Sequence, residues 1–299
     1  TAQVRLLTES LGSRLVAKLT TSEIEAWRDD IANSNRRVRT KKPKNGAQAT
    51  IRRVPPPDNV DPREAKRRRQ ATANRLLNVL KAALNRVWRQ GRVPNDAEWR
   101  RVKPFENVDQ PRLRFLSKDE CRRLLNASPP AFRQLAYGTL YTGLRVGELC
   151  SLRAEDIGES ALRVWQSKSG KPRTVPLSSE GQRFFDELRA GRQPDAQLFL
   201  RKDGEPWHRT AVSRAMRQVS KAARLDPPAK FHDLRRTYAS LLINAGASAE
   251  TIQKLLGHSD TRMTLRVYAH LLDTTLAKEV EAKLPSFGFE PGNVRSLRP

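Results

Sequence analysis

The chain is 299 residues long and carries 57 Lys and Arg against 32 Asp and Glu, a formal charge of +25 whose natural counterpart is a polyanion, nucleic acid above all. A 37% hydrophobic content at this length supports ordinary buried cores in about two domains and excludes a disordered tail. The absence of a long apolar run or an apolar leader argues against a membrane span and a secretory signal, and two cysteines without a CxxC spacing, Cys121 and Cys150, argue against a disulfide scaffold.

Both cysteines read as small core residues in a reducing, cytoplasmic setting. Residues 1–111 hold 25 basic and 12 acidic side chains, net +13, and residues 112–299 hold 32 and 20, net +12, so the first third is denser in positive charge. Thr20-Thr21-Ser22-Glu23 is a capping-box pattern, opening a helix with Ile24, Trp27 and Ile31 on its apolar face. Residues 36–60 collect Arg36, Arg37, Arg39, Lys41, Lys42, Lys44, Asn45-Gly46 and Pro55-Pro56-Pro57, and read as a basic loop. Asp61-Pro62 supplies the cap and first position of a longer helix, in which Leu76, Leu77, Leu80, Leu84 and Trp88 recur until Gly91. Its first turns carry Lys66, Arg67, Arg68 and Arg69. With Arg36, Arg37, Lys41 and Lys42 these are the candidate contacts to a DNA backbone, and a solvated face is an equal reading of the run. Residues 104–113, with Pro104 and Pro111, read as a linker.

Beyond it, Ser117-Lys118-Asp119-Glu120 caps a helix carrying Leu124 and Leu125, and a longer apolar helix runs from Ala131 to about Tyr141. Thr142-Gly143 interrupts it. Residues 161–166 and 172–177 alternate as strands around Ser167-Lys168-Ser169-Gly170-Lys171, a hairpin by composition and length. Helical patterns then cover about 179–190, 209–223, 232–245, 249–256 and 261–281. The fold class is mainly α with a small β-sheet.

No GxxxxGK[ST], GxGxxG or HExxH occurs, so no cofactor or metal site is expected. Instead, polar residues gather at helix ends. His232 and Arg235 stand at i, i+3 at a helix start, where backbone N–H groups also favour an anion; a phosphate site and a capping histidine beside a surface ion pair are both open readings. Gly257 stops a helix so that His258 projects beyond it, and Tyr268 follows ten residues on, where a packing role is the simpler reading in isolation. Arg145 lies between two helices with Glu148 one turn along to orient it. Tyr137 and Tyr141, at i, i+4, read as core, Tyr238 as packing or supporting the site, and Trp165 and Trp207 as packing residues.

In this order the segments TGLRVGEL (142–149), a lysine-bearing hairpin ending in RTVPL (173–177), HDLRRTYAS (232–240) and LLGHSDTRMTLRVYAHL (255–271) resemble the tyrosine recombinases, the phage integrase family. The likeness spans about residues 112–275, and the first 111 residues resemble that family's helical core-binding domain more loosely. The resemblance implies a helical DNA-binding domain over 1–111, with 1–19 as remnant of a preceding segment, an α+β catalytic domain over 112–283 and a tail over 284–299. It implies catalytic roles for Arg145, Lys168, His232, Arg235, His258 and the nucleophile Tyr268, supported by Glu148. Lys171 is the alternative hairpin lysine, and the distance from Arg145 favours Lys168. The activity implied is site-specific strand cleavage and rejoining through a 3′-phosphotyrosine, independent of metal and ATP, integrating or excising a mobile element. Implied partners are double-stranded attachment-site DNA, further protomers up to a tetramer in the synapse, with the tail docking on a neighbour, and accessory DNA-bending proteins. A type IB topoisomerase and a non-catalytic DNA-binding regulator are the alternatives; HDLRRT and LLGHSD fit integrases better, and none of the six residues is missing.

Overall fold

A computed structural model describes residues 2–39, 50–58, 60–108, 114–165, 172–258 and Tyr268. Lys41, Lys42, the hairpin residues Lys168 and Lys171, His270, the 284–299 tail and the 261–281 helix other than Tyr268 lie outside the described residues. The chain divides into two compact units, residues 1–110 and 111–299. None of the described helices is long and apolar enough to cross a membrane.

In the first unit, α1 (Ala2–Leu11) and α2 (Thr21–Asn33) pack on the long α3 (Pro62–Arg89), with the short α4 (Ala97–Arg101) closing the group. The start of α2 is fixed by the expected capping box: Glu23 N donates to Thr20 Oγ1 at 3.3 Å, while Thr20 N donates to Glu23 Oε2 at 3.0 Å. Asp61 caps α3 by accepting from Arg63 N at 2.6 Å, with Pro62 at the first position. Ile24, Trp27 and Ile31 of α2 meet Leu76, Leu77, Leu80 and Leu84 of α3 in one apolar core that also takes Trp99.

Within the expected basic loop over 36–60, the described residues 36–39 and 51–54 instead form two paired strands. β1 (Arg36–Arg39) runs antiparallel to β2 (Ile51–Val54), with Arg36 opposite Val54 and Arg39 opposite Ile51. Backbone pairing needs no apolar side chains, so strands rich in arginine hide from a reading built on hydrophobic alternation.

The second unit is assembled around α6 (Pro130–Thr142) and α10 (Phe231–Asn244), which pack on each other. α5 (Lys118–Asn126), α7 (Val146–Cys150), α8 (Ser179–Arg189) and α9 (Arg209–Ala222) surround them, and β3 (Ala161–Val164) pairs antiparallel with β4 (Arg173–Pro176). Phe132, Leu135, Leu149, Leu162, Phe185 and Phe199 lie at the centre, fully buried. Cys121 and Cys150 pack against this core, and burial pushes their thiols up to about 11 and about 12. Tyr137 and Tyr141 stack with ring centroids 5.7 Å apart and lean on Phe184.

Trp207 packs edge-on against Phe132 at 5.9 Å, but Trp165 is 57% exposed, with the Arg163 guanidinium 5.0 Å from its ring centre. It is not a packing residue of the core. Leu162 and Val164 face inward along β3, so strand alternation turns Arg163 and Trp165 outward.

Candidate active site

Helix ends build the site. α6 stops at Gly143, whose φ of 63° lies in the left-handed region; a Cβ there would come within 2.4 Å of the Tyr238 ring, so both backbone and space require glycine. The chain then turns so that Arg145 occupies the cap position of α7. Arg145 Nη1 donates to Glu148 Oε1 at 2.9 Å, and its backbone N–H donates to Glu148 Oε2 at 3.0 Å. Glu148 thus orients Arg145, as the i, i+3 spacing suggests.

α11 (Ala249–Leu256) packs on α10 and ends at Gly257, with φ of 62°. Helix termini leave carbonyl oxygens without intrahelical partners, and the negative end of the helix dipole favours cations there. Three arginines take up these oxygens. Arg235 Nη2 donates to Leu256 O at 2.7 Å and Nη1 to Gly143 O at 2.8 Å. Arg145 reaches Leu256 O at 3.4 Å and Gly257 O at 3.3 Å, and Arg173 Nε reaches Leu255 O at 3.4 Å.

Arg235 is only 2% exposed, and burial followed by the charge of Arg145 lowers its pKa to about 9, so it stays charged at neutral pH. His232, on the first turn of α10, has an exposed side, while the protein packed around it and then Arg236 and Arg235 lower its pKa to about 4. His258, placed just beyond Gly257, is likewise lowered to about 4 by burial and then by Arg235 and Arg145. Both rings are neutral at pH 7 and can accept a proton. Tyr268 is 4% exposed in a pocket of Ala239, Ile243, Ile252 and Leu256. Burial raises its hydroxyl to about 12 against the opposing pull of Arg235 and Arg236.

Arg145, His232, Arg235, His258 and Tyr268, from four separated segments, therefore meet around Glu148 and the end of α11. Lys168 lies outside the described residues. Tyr238, read as packing or supporting, fills the space beside Gly143. One member of the cluster escaped the sequence: Arg173, whose Nη2 donates to Glu148 Oε2 at 2.7 Å and Nη1 to Oε1 at 3.3 Å. Among the described residues no group of three or more His, Cys, Asp or Glu could hold a metal ion.

Of the basic residues read as DNA contacts, Arg36, Lys66 and Arg68 are exposed, Arg68 while bonded to Glu64 at 2.7 Å. Arg67 bonds Glu64 at 2.6 Å and Val108 O at 2.5 Å, and Arg69 donates to Ile31 O at 2.5 Å. Both are half-buried and spend donors inside their own unit. Arg37 donates to Glu9 at 2.7 Å.

The sequence pattern of the phage integrase family matches residues 114–275, more than half of the chain. The chain belongs to the phage integrase family. A tyrosine recombinase of Thermosipho africanus is 30% identical over 217 residues, covering 69% of this chain and 73% of the relative. As a tyrosine recombinase, this integrase-family chain is a DNA strand-exchanging enzyme. The fold is shared with the Tn1549 transposon integrase solved with circular intermediate DNA (TM-score 0.65, 19% identity, 93% of this chain and 90% of that one). It is also shared with a lambda integrase tetramer solved on a Holliday junction (TM-score 0.62, 22% identity, 87% and 70%).

Proposed function

We propose that this integrase cleaves one phosphodiester per protomer with Tyr268 as nucleophile, leaving a 3′-phosphotyrosine and a free 5′ hydroxyl, and rejoins the strand to a new partner. The convergence of Arg145, Arg235, His232 and His258 with Tyr268 carries this reading. As phosphorus becomes five-coordinate, charge spreads over the non-bridging oxygens, and two guanidiniums that remain charged are suited to hold it. A tyrosine hydroxyl raised to about 12 is a weak nucleophile and needs a proton acceptor; His232 is the first candidate and His258 the second. Lys168 is assigned the protonation of the departing 5′ oxygen. The ester keeps the bond energy, so rejoining consumes no nucleotide.

The substrate is duplex DNA carrying attachment sites of a mobile element, and the working assembly a tetramer on paired sites. The lambda integrase tetramer on a Holliday junction supports that assembly, and exchange of two strands at two sites needs four nucleophiles. Residues 1–110 serve as the core-type DNA-binding domain and the unit from 111 as the catalytic domain. Incubation with a nicked duplex bearing the candidate site tests the reading: the parent chain forms a covalent adduct and Tyr268→Phe does not. Binding by the parent chain with no adduct would overturn it.

A further inference from the structure

Arg173 has no part in the roles above, yet it holds the most enclosed hydrogen-bonded ion pair that Glu148 makes. Glu148 is 5% exposed, and a carboxylate so far from water is costly unless a cation neutralises it. Burial raises the Glu148 pKa, and bonds from Arg173 and Arg145 outweigh it, so the carboxyl is held below its ordinary range. Three guanidiniums compete for this one carboxylate. Arg173, 11% exposed, makes the two-pronged contact; Arg145, 27% exposed, makes one side-chain bond; Arg235 waits at 4.0 Å from Oε2, too far for a hydrogen bond.

We infer that Arg173 is a positioning residue for strand cleavage: by taking Glu148 as its own ion-pair partner, it leaves the charges of Arg145 and Arg235 to the scissile phosphate. This rests on the active-site reading proposed above. Without Arg173, a buried Glu148 would draw Arg145 into a two-pronged pair and close the 4.0 Å gap to Arg235, and the phosphate would meet one positive charge fewer. Arg173 also lies flat against Gly257, where an added Cβ would meet its guanidinium at 3.0 Å, so the same side chain braces the backbone just before His258.

The test compares the parent chain, Arg173→Gln and Arg173→Lys on two nicked duplexes, one with the ordinary scissile phosphate and one with a methylphosphonate, whose methyl group removes the negative charge. Arg173→Gln is expected to bind DNA as the parent does but to form the adduct about 10²-fold more slowly, the scale of losing one charge-stabilising donor. Arg173→Lys keeps the charge without the fork and recovers part of the rate. On the methylphosphonate the Arg173→Gln deficit shrinks, because a neutral centre needs fewer cations. An Arg173→Gln rate equal to the parent's, or a deficit of the same size on both substrates, would overturn the inference. Should thermal melting show Arg173→Gln unfolded, Arg173→Lys read on the two substrates decides by the same criterion. Failure of the parent to form an adduct, or an adduct with Tyr268→Phe, would instead sink the active-site reading itself.

Discussion

His232 and His258 are both neutral in the free protein at pH 7, each lowered to about 4 from an ordinary value near 6.5, foremost by burial. The unfolded chain therefore binds more protons than the folded one between about pH 6.5 and 4, so their contribution to stability is full above 6.5 and is lost as the pH falls toward 4. Melting temperature should drop across that window, and His258→Asn should show a shallower drop than the parent. A DNA phosphate beside the same rings favours their charged form, so binding should take up protons near pH 5 to 6. Calorimetry in buffers of different ionisation enthalpy would read this, and equal heats would contradict it. Arg235→Lys is not conservative: one ammonium cannot reproduce a fork that joins Gly143 O to Leu256 O, and adduct formation should fall on the order of 10²-fold. Tyr268, 4% exposed, must leave its apolar pocket before its hydroxyl can attack.

The elements that carry the site are held by their ends. Gly143→Ala forces a side chain into left-handed backbone and against the Tyr238 ring, and should cost at least about 1–2 kcal/mol in chemical denaturation. Removing the α5 cap by Ser117→Ala should cost about 1 kcal/mol, leaving Glu120 N–H, now 3.2 Å from the Ser117 hydroxyl, without that acceptor. Such features were legible because caps and helical periodicity are local: Thr20 to Glu23, Asp61-Pro62 and Ser117 to Glu120 each announce a start within four residues. The pairing of β1 with β2 was not, since Arg36-Arg37-Val38-Arg39 has no apolar alternation and its pairing lies in the backbone. Arg173 was missed for a related reason: it meets Glu148 across 25 residues and a change of element, a distance no short motif spans. The clustering of Arg145, His232, Arg235, His258 and Tyr268 was legible only as an ordered set of motifs, because each of these residues taken singly fits a blander role.

At the scale of the whole molecule the charge is +25, and among the described residues the basic side chains divide between a few guanidiniums enclosed among protein acceptors and a larger exposed set. Exposed lysines and arginines that neutralise phosphates release counterions, so raising salt from about 50 to 200 mM should weaken DNA binding by on the order of 10³-fold or more. A flat salt response would mean that the surface charge does not face DNA. The arginines of the site behave differently, and the end of α11 shows why. Arg145, Arg173 and Arg235 already hold main-chain oxygens of Leu255, Leu256 and Gly257. These carbonyls act as an internal stand-in for the oxygens of a phosphate. A free inorganic anion must therefore displace ligands the protein supplies to itself, rather than loosely held solvent, and has nothing further to offer in exchange. A nucleic acid can meet that cost with contacts elsewhere along its length. Inorganic phosphate is therefore expected to compete only weakly with DNA at this centre, and strong inhibition of adduct formation by phosphate at constant ionic strength would contradict it.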